Sequence, residues 1–103
     1  MKIVGISACV AGIAHTYIAR EKLIKAAEKA GHEIHLETQG TIGTEHALTE
    51  NQIQEADVVV LAVDIKIKGK ERFTGKKTIE IPTETAIHSA TALIKKMEEI
   101  IKN

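Results

Sequence analysis

A chain of 103 residues with 44% hydrophobic content has enough apolar material for one compact domain and its core. Lys plus Arg and Asp plus Glu number 14 each, so the balanced charge leaves no electrostatic footprint for nucleic acid, and Tyr17 and Phe73 alone build no base-stacking platform. No apolar run approaches the roughly 20 residues that span a bilayer, the opening MKIVGIS lacks the length of a secretory signal, and a single cysteine forms no internal disulfide, which fits a reducing cytoplasm.

The first predicted element is a buried strand over residues 2–7, KIVGIS, which is short, apolar and rich in β-branched residues. From Gly12 or Ile13 to Ala30 the pattern turns helical. Ala19, Leu23, Ala26 or Ala27, and Ala30 recur every three or four positions among charged residues, and Gly31 supplies the C-terminal cap. Residues 32–38, HEIHLET, alternate polar and apolar and read as a second strand. QGTIGTEHA, with two glycines, reads as a loop. Residues 49–56, TENQIQEA, predict a short helix capped by Thr49, with Gln52 in the capping-box position.

DVVVLAVD is the most apolar strand of the chain, closed by Asp64. KIKGKERFTGKK predicts a charged, glycine-broken connection with one helical turn at its centre. KTIEIP is a fourth strand, stopped by Pro82. A final helix is expected from Thr83 to Lys102, its apolar stripe formed by Ala86, Ile87, Ala90, Leu93, Ile94, Met97, Ile100 and Ile101. Strands alternating with helices predict an α/β fold: a three-layer sandwich whose four-stranded parallel sheet has the order 2-1-3-4, with helices on both faces. No repeat or linker divides the chain, so residues 1–103 are expected to form a single domain.

In such a sheet, ligands bind beyond the carboxyl ends of the strands near the topological switch point. The end of the first strand lies there, and it carries Cys9. The segment SACVAGIAHTY leads from that strand into the first helix, so backbone N–H groups from Val10 through Ala11, Gly12, Ile13 and Ala14 to His15 are positioned to face an anion. Gly12 permits close approach. The same N–H groups and the helix dipole favour thiolate over thiol. Thr16 offers a hydroxyl, and His15 a hydrogen bond or a charge beside the sulfur. The opposing reading is that Cys9 is a small buried residue at a strand end.

Three alternatives test against the letters. A cysteine phosphatase needs an arginine to clamp phosphate, and His15 stands at that spacing instead. The dinucleotide fingerprint G-x-G-x-x-G fails, since the segment has only Gly5 and Gly12, although Glu37 could mimic the ribose acid. A zinc site needs about four clustered ligands. Cys9, His15, His32, His35, His46 and His88 show no such spacing, and no metal or cofactor is expected. His32, His35 and His88 read as solvated or half-buried structural residues.

CVAGIAHTYIAREKL resembles the phosphorylation-site loop of the fructose-specific IIB component of the bacterial sugar phosphotransferase system (PTS), which typically reads C-P-T-G-I-A-H-T-[FY]-M-A. Cys9, Gly12, Ile13, Ala14, His15, Thr16 and Tyr17 match that pattern. The likeness continues in ETQG (37–40), Gly43, Leu48 and Thr49, ADVVVLAVD and ERFTGK (71–76), covering nearly the whole chain. Where the family has Pro then Thr, this sequence has Val10 and Ala11, which restores an N–H and removes a hydroxyl.

The resemblance implies a phosphocarrier. Cys9 would take a phosphoryl group from a phosphohistidine on the IIA component and pass it to a fructose-type sugar on the membrane component IIC. It would act in the cytoplasm, at the inner membrane face through IIC, with no membrane insertion of its own and no nucleic-acid partner. It also implies a parallel α/β sandwich. Glu37, Gln39 and Gly40 are candidates for a neighbouring loop, or else a plain strand end and turn. Glu71, Arg72 and Phe73 are candidates for a docking edge, with Phe73 equally a local core plug. The alternative function is a non-catalytic regulatory or anion-binding module that retains the fold.

Overall fold

The computed structural model describes residues 1–9, 13–40 and 43–102. Val10, Ala11 and Gly12 of the expected anion loop lie outside the described residues. In chain order the elements are β1 (Lys2–Ala8), α1 (Ile13–Lys29), β2 (Glu33–Gly40), β3 (Gly43–Glu45), α2 (Glu50–Glu55), β4 (Val58–Val63), a 3-10 turn (Lys70–Phe73), β5 (Thr78–Ile81), α3 (Thr83–His88) and α4 (Ala90–Lys102).

The sheet is five-stranded, in the order β3-β2-β1-β4-β5. The four long strands are parallel and follow the expected order, with β1 at the centre. The difference is β3, an antiparallel edge strand in the stretch read as a loop. Strand β2 runs on to Gly40, which pairs with Gly43, so the chain folds back as a hairpin. Gly43 has a φ of 100°, open to glycine and strained for other residues. Three residues are too short for a periodic signal, so the glycines there read as loop.

The strands' alternation divides the core. Ile3, Leu36, Val58, Val60, Ala62 and Ile79 face α1, α3 and α4, and pack with Ala19, Leu23, Ala27, Ala86, Leu93, Ile94 and Met97. Val4, Ile6, Ala8, Val59 and Leu61 face the other way, onto Leu48, Ala56 and Phe73. Phe73 is therefore a core plug. Strand β4 is buried on both faces, which explains its unbroken apolar run. At Gly5 the backbones of β1 and β4 leave no room for a side chain. A Cβ there would lie 1.9 Å from the Val60 carbonyl oxygen.

The local signals at the helix ends hold. The N–H of His32 reaches the Ala27 carbonyl and that of Gly31 reaches Glu28, a Schellman closure made possible by the φ of 84° at Gly31. Thr49 and Gln52 form a reciprocal capping box. The expected single C-terminal helix is two helices. Ser89, at φ −134° and ψ 33°, breaks it after His88. Across the break the Ser89 N–H donates to the Thr85 carbonyl, and the Ser89 carbonyl accepts from the Leu93 N–H. Both halves keep their apolar stripe on the α1 side of the sheet, so the periodicity runs unbroken through a bend it does not reveal.

Candidate functional site

Alternation along the strands carries three side chains to one place. Cys9 continues the face of Ile3, Asp64 that of Val60 and Ala62, and Thr83 that of Ile79, all toward α1, α3 and α4. His15, in the first turn of α1, meets them from above.

The Cys9 sulfur lies 3.1 Å from His15 Nδ1 and is nearly buried, with 5% exposure. The same nitrogen lies 3.2 Å from the Thr83 hydroxyl oxygen. That hydroxyl donates to Asp64 Oδ2 at 2.5 Å, and the Thr83 N–H donates to Asp64 Oδ1 at 2.9 Å. The Asp64 N–H in turn donates to the Ala8 carbonyl at 2.9 Å, tying the end of β4 to the end of β1. Ser7, one residue before, donates its hydroxyl to the Thr16 carbonyl at 2.8 Å and so fixes α1 on β1.

The network decides where the protons lie. A threonine hydroxyl has one hydrogen, and here it goes to the Asp64 carboxylate. The Thr83 oxygen is therefore an acceptor toward His15, which makes Nδ1 the protonated nitrogen. The same N–H points at the sulfur as a shared donor. The Thr83 hydroxyl, with help from its N–H, the Cys9 thiol and His15, holds the Asp64 carboxyl below the ordinary carboxylate range against the opposing effect of desolvation. Asp64 is thus ionised wherever an ordinary aspartate is.

Among the described residues, one group of three or more His, Cys, Asp or Glu side chains is close enough to hold a metal ion. Ligand atoms of Cys9, His15 and Asp64 lie within 4.8 Å of one another. The spacing of cysteine and histidines along the chain did not reveal it, because the third member is an aspartate brought in by β4.

The chain as a whole has relatives. A family model described as the lactose/cellobiose-specific IIB subunit of the PTS system matches residues 4–102. The chain is 44% identical over 97 residues to the PTS system fructose-like EIIB component 2 of Escherichia coli K12, covering 94% of this chain and 92% of that protein. This chain belongs to the PTS IIB family.

Solved IIB structures agree with the fold. A domain of the fructose-specific IIABC component of Borrelia burgdorferi superposes with a TM-score of 0.89 at 46% identity, covering 94% of this chain and 92% of that one. The Enzyme IIB subunit of the PTS system of Escherichia coli K12 gives 0.92 at 38% identity, covering 98% and 94%. A fructose-specific EIIB'BC component of Xanthomonas campestris is 44% identical over 95 residues, which are 92% of this chain and 16% of that protein.

Within this IIB chain, Glu37 and Gln39 stand on the sheet face opposite Cys9. Although Gln39 pairs in register with Ala8, both side chains turn toward the connection after β4. Glu37, 2% exposed, receives a two-pronged pair of hydrogen bonds from Arg72 at 3.0 and 2.9 Å, and others from the Leu48 N–H and Gln39. Gln39 bonds the backbone of Lys68 through both its amide atoms. Gly40 is exposed at the hairpin end of β2. Arg72 lies over the Phe73 ring at 5.3 Å. These residues of the IIB domain latch the connection between β4 and β5 to the sheet. Ala14 is exposed and Thr16 is buried on α1.

His32 is half-buried between the N-terminal amine and Glu98, His35 bonds to Glu33 at the surface, and His88 is exposed, in line with structural or solvated roles. No helix among the described residues of this IIB chain is long and apolar enough to cross a membrane. Asp64 and Thr83 are the site residues that motif reading passed over.

Proposed function

We propose that this chain is the phosphocarrier of a sugar phosphotransferase system, with Cys9 as its phosphoacceptor. The observation that carries the reading is the position of the chain's one cysteine. It lies at the end of the central strand, 3.1 Å from a ring N–H of His15 at the start of α1. The names of the relatives support a fructose-type system, and the EIIB'BC relative supports a partner of the membrane IIC type.

Two displacements make the relay. In the first, a sulfur lone pair of Cys9 attacks the phosphorus of a phosphohistidine on IIA. The N–P bond breaks, and the electron pair returns to the donor imidazole, which takes up the thiol proton. In the second, a hydroxyl of the sugar held by IIC attacks the phosphocysteine. The S–P bond breaks, the sulfur leaves with the pair, and the hydroxyl proton ends on that sulfur. Such transfers ask the protein mainly for positioning and charge stabilisation. The His15 N–H serves the sulfur as nucleophile and as leaving group. The backbone N–H groups leading into α1, including those of Val10, Ala11, Gly12, Ile13 and Ala14, serve the phosphoryl oxygens. Asp64 does not touch the phosphoryl group. It orients Thr83, which holds the His15 ring with Nδ1–H toward the sulfur.

Incubation with a phosphorylated IIA donor tests the proposal by intact mass. A gain of one phosphoryl group is expected, and an unchanged mass overturns the relay in favour of a binding-only module. Thr83→Val separates positioning from packing, because it keeps the volume and loses the hydroxyl. A charge-assisted hydrogen bond is worth roughly 1.5–3 kcal/mol, so we expect transfer to slow by about tenfold or more. Rescue by Thr83→Ser and a changed His15 tautomer in nitrogen NMR identify the hydroxyl as the cause. A wild-type rate in Thr83→Val removes Thr83 from the mechanism.

A further inference from the structure

We propose that Cys9, His15 and Asp64 form a three-ligand site for zinc, and that a bound ion shuts off the phosphoacceptor. The binding stands on geometry alone. Its consequence for transfer rests on the reading of Cys9 given above.

The three ligand atoms lie within 4.8 Å of one another and come from three separate places in the fold: just past β1, the first turn of α1 and just past β4. They supply one sulfur, one ring nitrogen and one carboxylate oxygen. That set suits zinc, which takes Cys, His and Asp in tetrahedral sites, and it suits calcium or magnesium poorly, since those ions want oxygen throughout. Three protein ligands leave the fourth position to water, as in open zinc sites.

The carboxylate is already oriented. Thr83 gives one hydrogen bond to each Asp64 oxygen, at 2.5 and 2.9 Å, and each oxygen keeps a further lone pair for an ion. Outer partners of this kind orient metal ligands and raise affinity. Access is from the Asp64 side, which is exposed, while Cys9 is buried and His15 half-buried. Zinc binding releases the thiol proton to solvent. With Nδ1 as the ligand, the ring keeps its proton by moving it to Nε2. The sulfur lone pair that would attack phosphorus is then bound to the ion.

Cobalt, which takes zinc's place and absorbs light, is the first probe. One equivalent should produce visible bands of tetrahedral cobalt and a near-ultraviolet sulfur-to-cobalt band, both displaced by zinc. Cys9→Ser should abolish the sulfur band. Thr83→Val should weaken binding by roughly 10–100-fold through the loss of carboxylate orientation. Asp64→Asn and His15→Ala should weaken it further, and His35→Ala should leave it unchanged.

Asp64 also anchors α3, so a second measurement uses the wild-type chain. Zinc should shift the ring-nitrogen signals of His15 and leave those of His32, His35 and His88 in place. Absence of the sulfur-to-cobalt band, or of the His15 shift at saturating zinc, overturns the site. Equal affinity in Asp64→Asn and wild type overturns the three-ligand set.

Zinc added to the IIA assay should block mass gain, and a chelator should restore it. Phosphorylation that proceeds on zinc-saturated protein overturns the shut-off. A chain that binds zinc but gains no phosphoryl group under any condition keeps the site and loses the phosphocarrier reading instead.

Discussion

Cys9→Ser and Cys9→Ala abolish phosphoryl acceptance and leave the fold in place. The first half of this expectation follows from chemistry. Serine puts a hydroxyl where the thiol stood, and near neutral pH a hydroxyl is a far weaker nucleophile than a thiolate. Alanine leaves no nucleophile, and the chain has no second cysteine to substitute. The second half follows from packing. Cys9 lies just past β1 with 5% exposure, and the main clusters of the core are built by other residues. Intact mass after incubation with phosphorylated IIA should show no gain, while thermal melts stay within a few degrees of wild type. A serine variant that accepts the group at the wild-type rate would exclude Cys9 as the acceptor.

The largest expected loss of stability is at Arg72. The Glu37 side chain is 2% exposed and meets Arg72 through two hydrogen bonds at 3.0 and 2.9 Å. Removing one member of a buried ion pair leaves a charge without its partner and costs about 3–5 kcal/mol. The Arg72 side chain is 30% exposed, so water softens the loss. We expect Arg72→Ala to cost roughly 2–4 kcal/mol after that discount, read from urea midpoints. A cost below about 1 kcal/mol, the level of a surface pair, would show that the latch is not structural.

The pair also sets a pH dependence. Burial opposes ionisation of Glu37, but the hydrogen bonds from Arg72, Gln39 and the Leu48 N–H outweigh it and hold the carboxyl below its usual range. A carboxyl depressed on folding contributes its full stability above the unfolded value and loses it as pH falls through the folded one. Wild-type stability from this pair should therefore persist to pH values below the ordinary glutamate range. In Arg72→Ala that acid-side loss should be displaced upward.

Much of this fold is legible in letters because each of the four parallel strands declares itself by an apolar or an alternating run and each longer helix by a cap or stripe. Thr49 and Gln52 name their capping box, and Gly31 names its turn. What letters hide are features with no period. Strand β3 is three residues long, and the bend at Ser89 leaves the hydrophobic stripe intact. The site divides along the same line. Cys9 and His15 share a short motif, so they are read together. Asp64 and Thr83 reach them only through the sheet, and the signal that finds them is parity. Counting in twos along β4 from Val60 and Ala62, and along β5 from Ile79 and Ile81, lands on Asp64 and Thr83 on the Cys9 face. The same count along β2 sends Glu37 and Gln39 to the other face, although they end the neighbouring strand.

The bond between His15 and Thr83 spans 68 residues of chain. Synthesis from the N-terminal side releases Cys9 and His15 well before Thr83. Until β5 has joined the sheet, Asp64 has no hydroxyl to hold and the His15 ring has nothing to fix its proton. The growing chain therefore carries its thiol without its finished surroundings until Thr83 has emerged and docked.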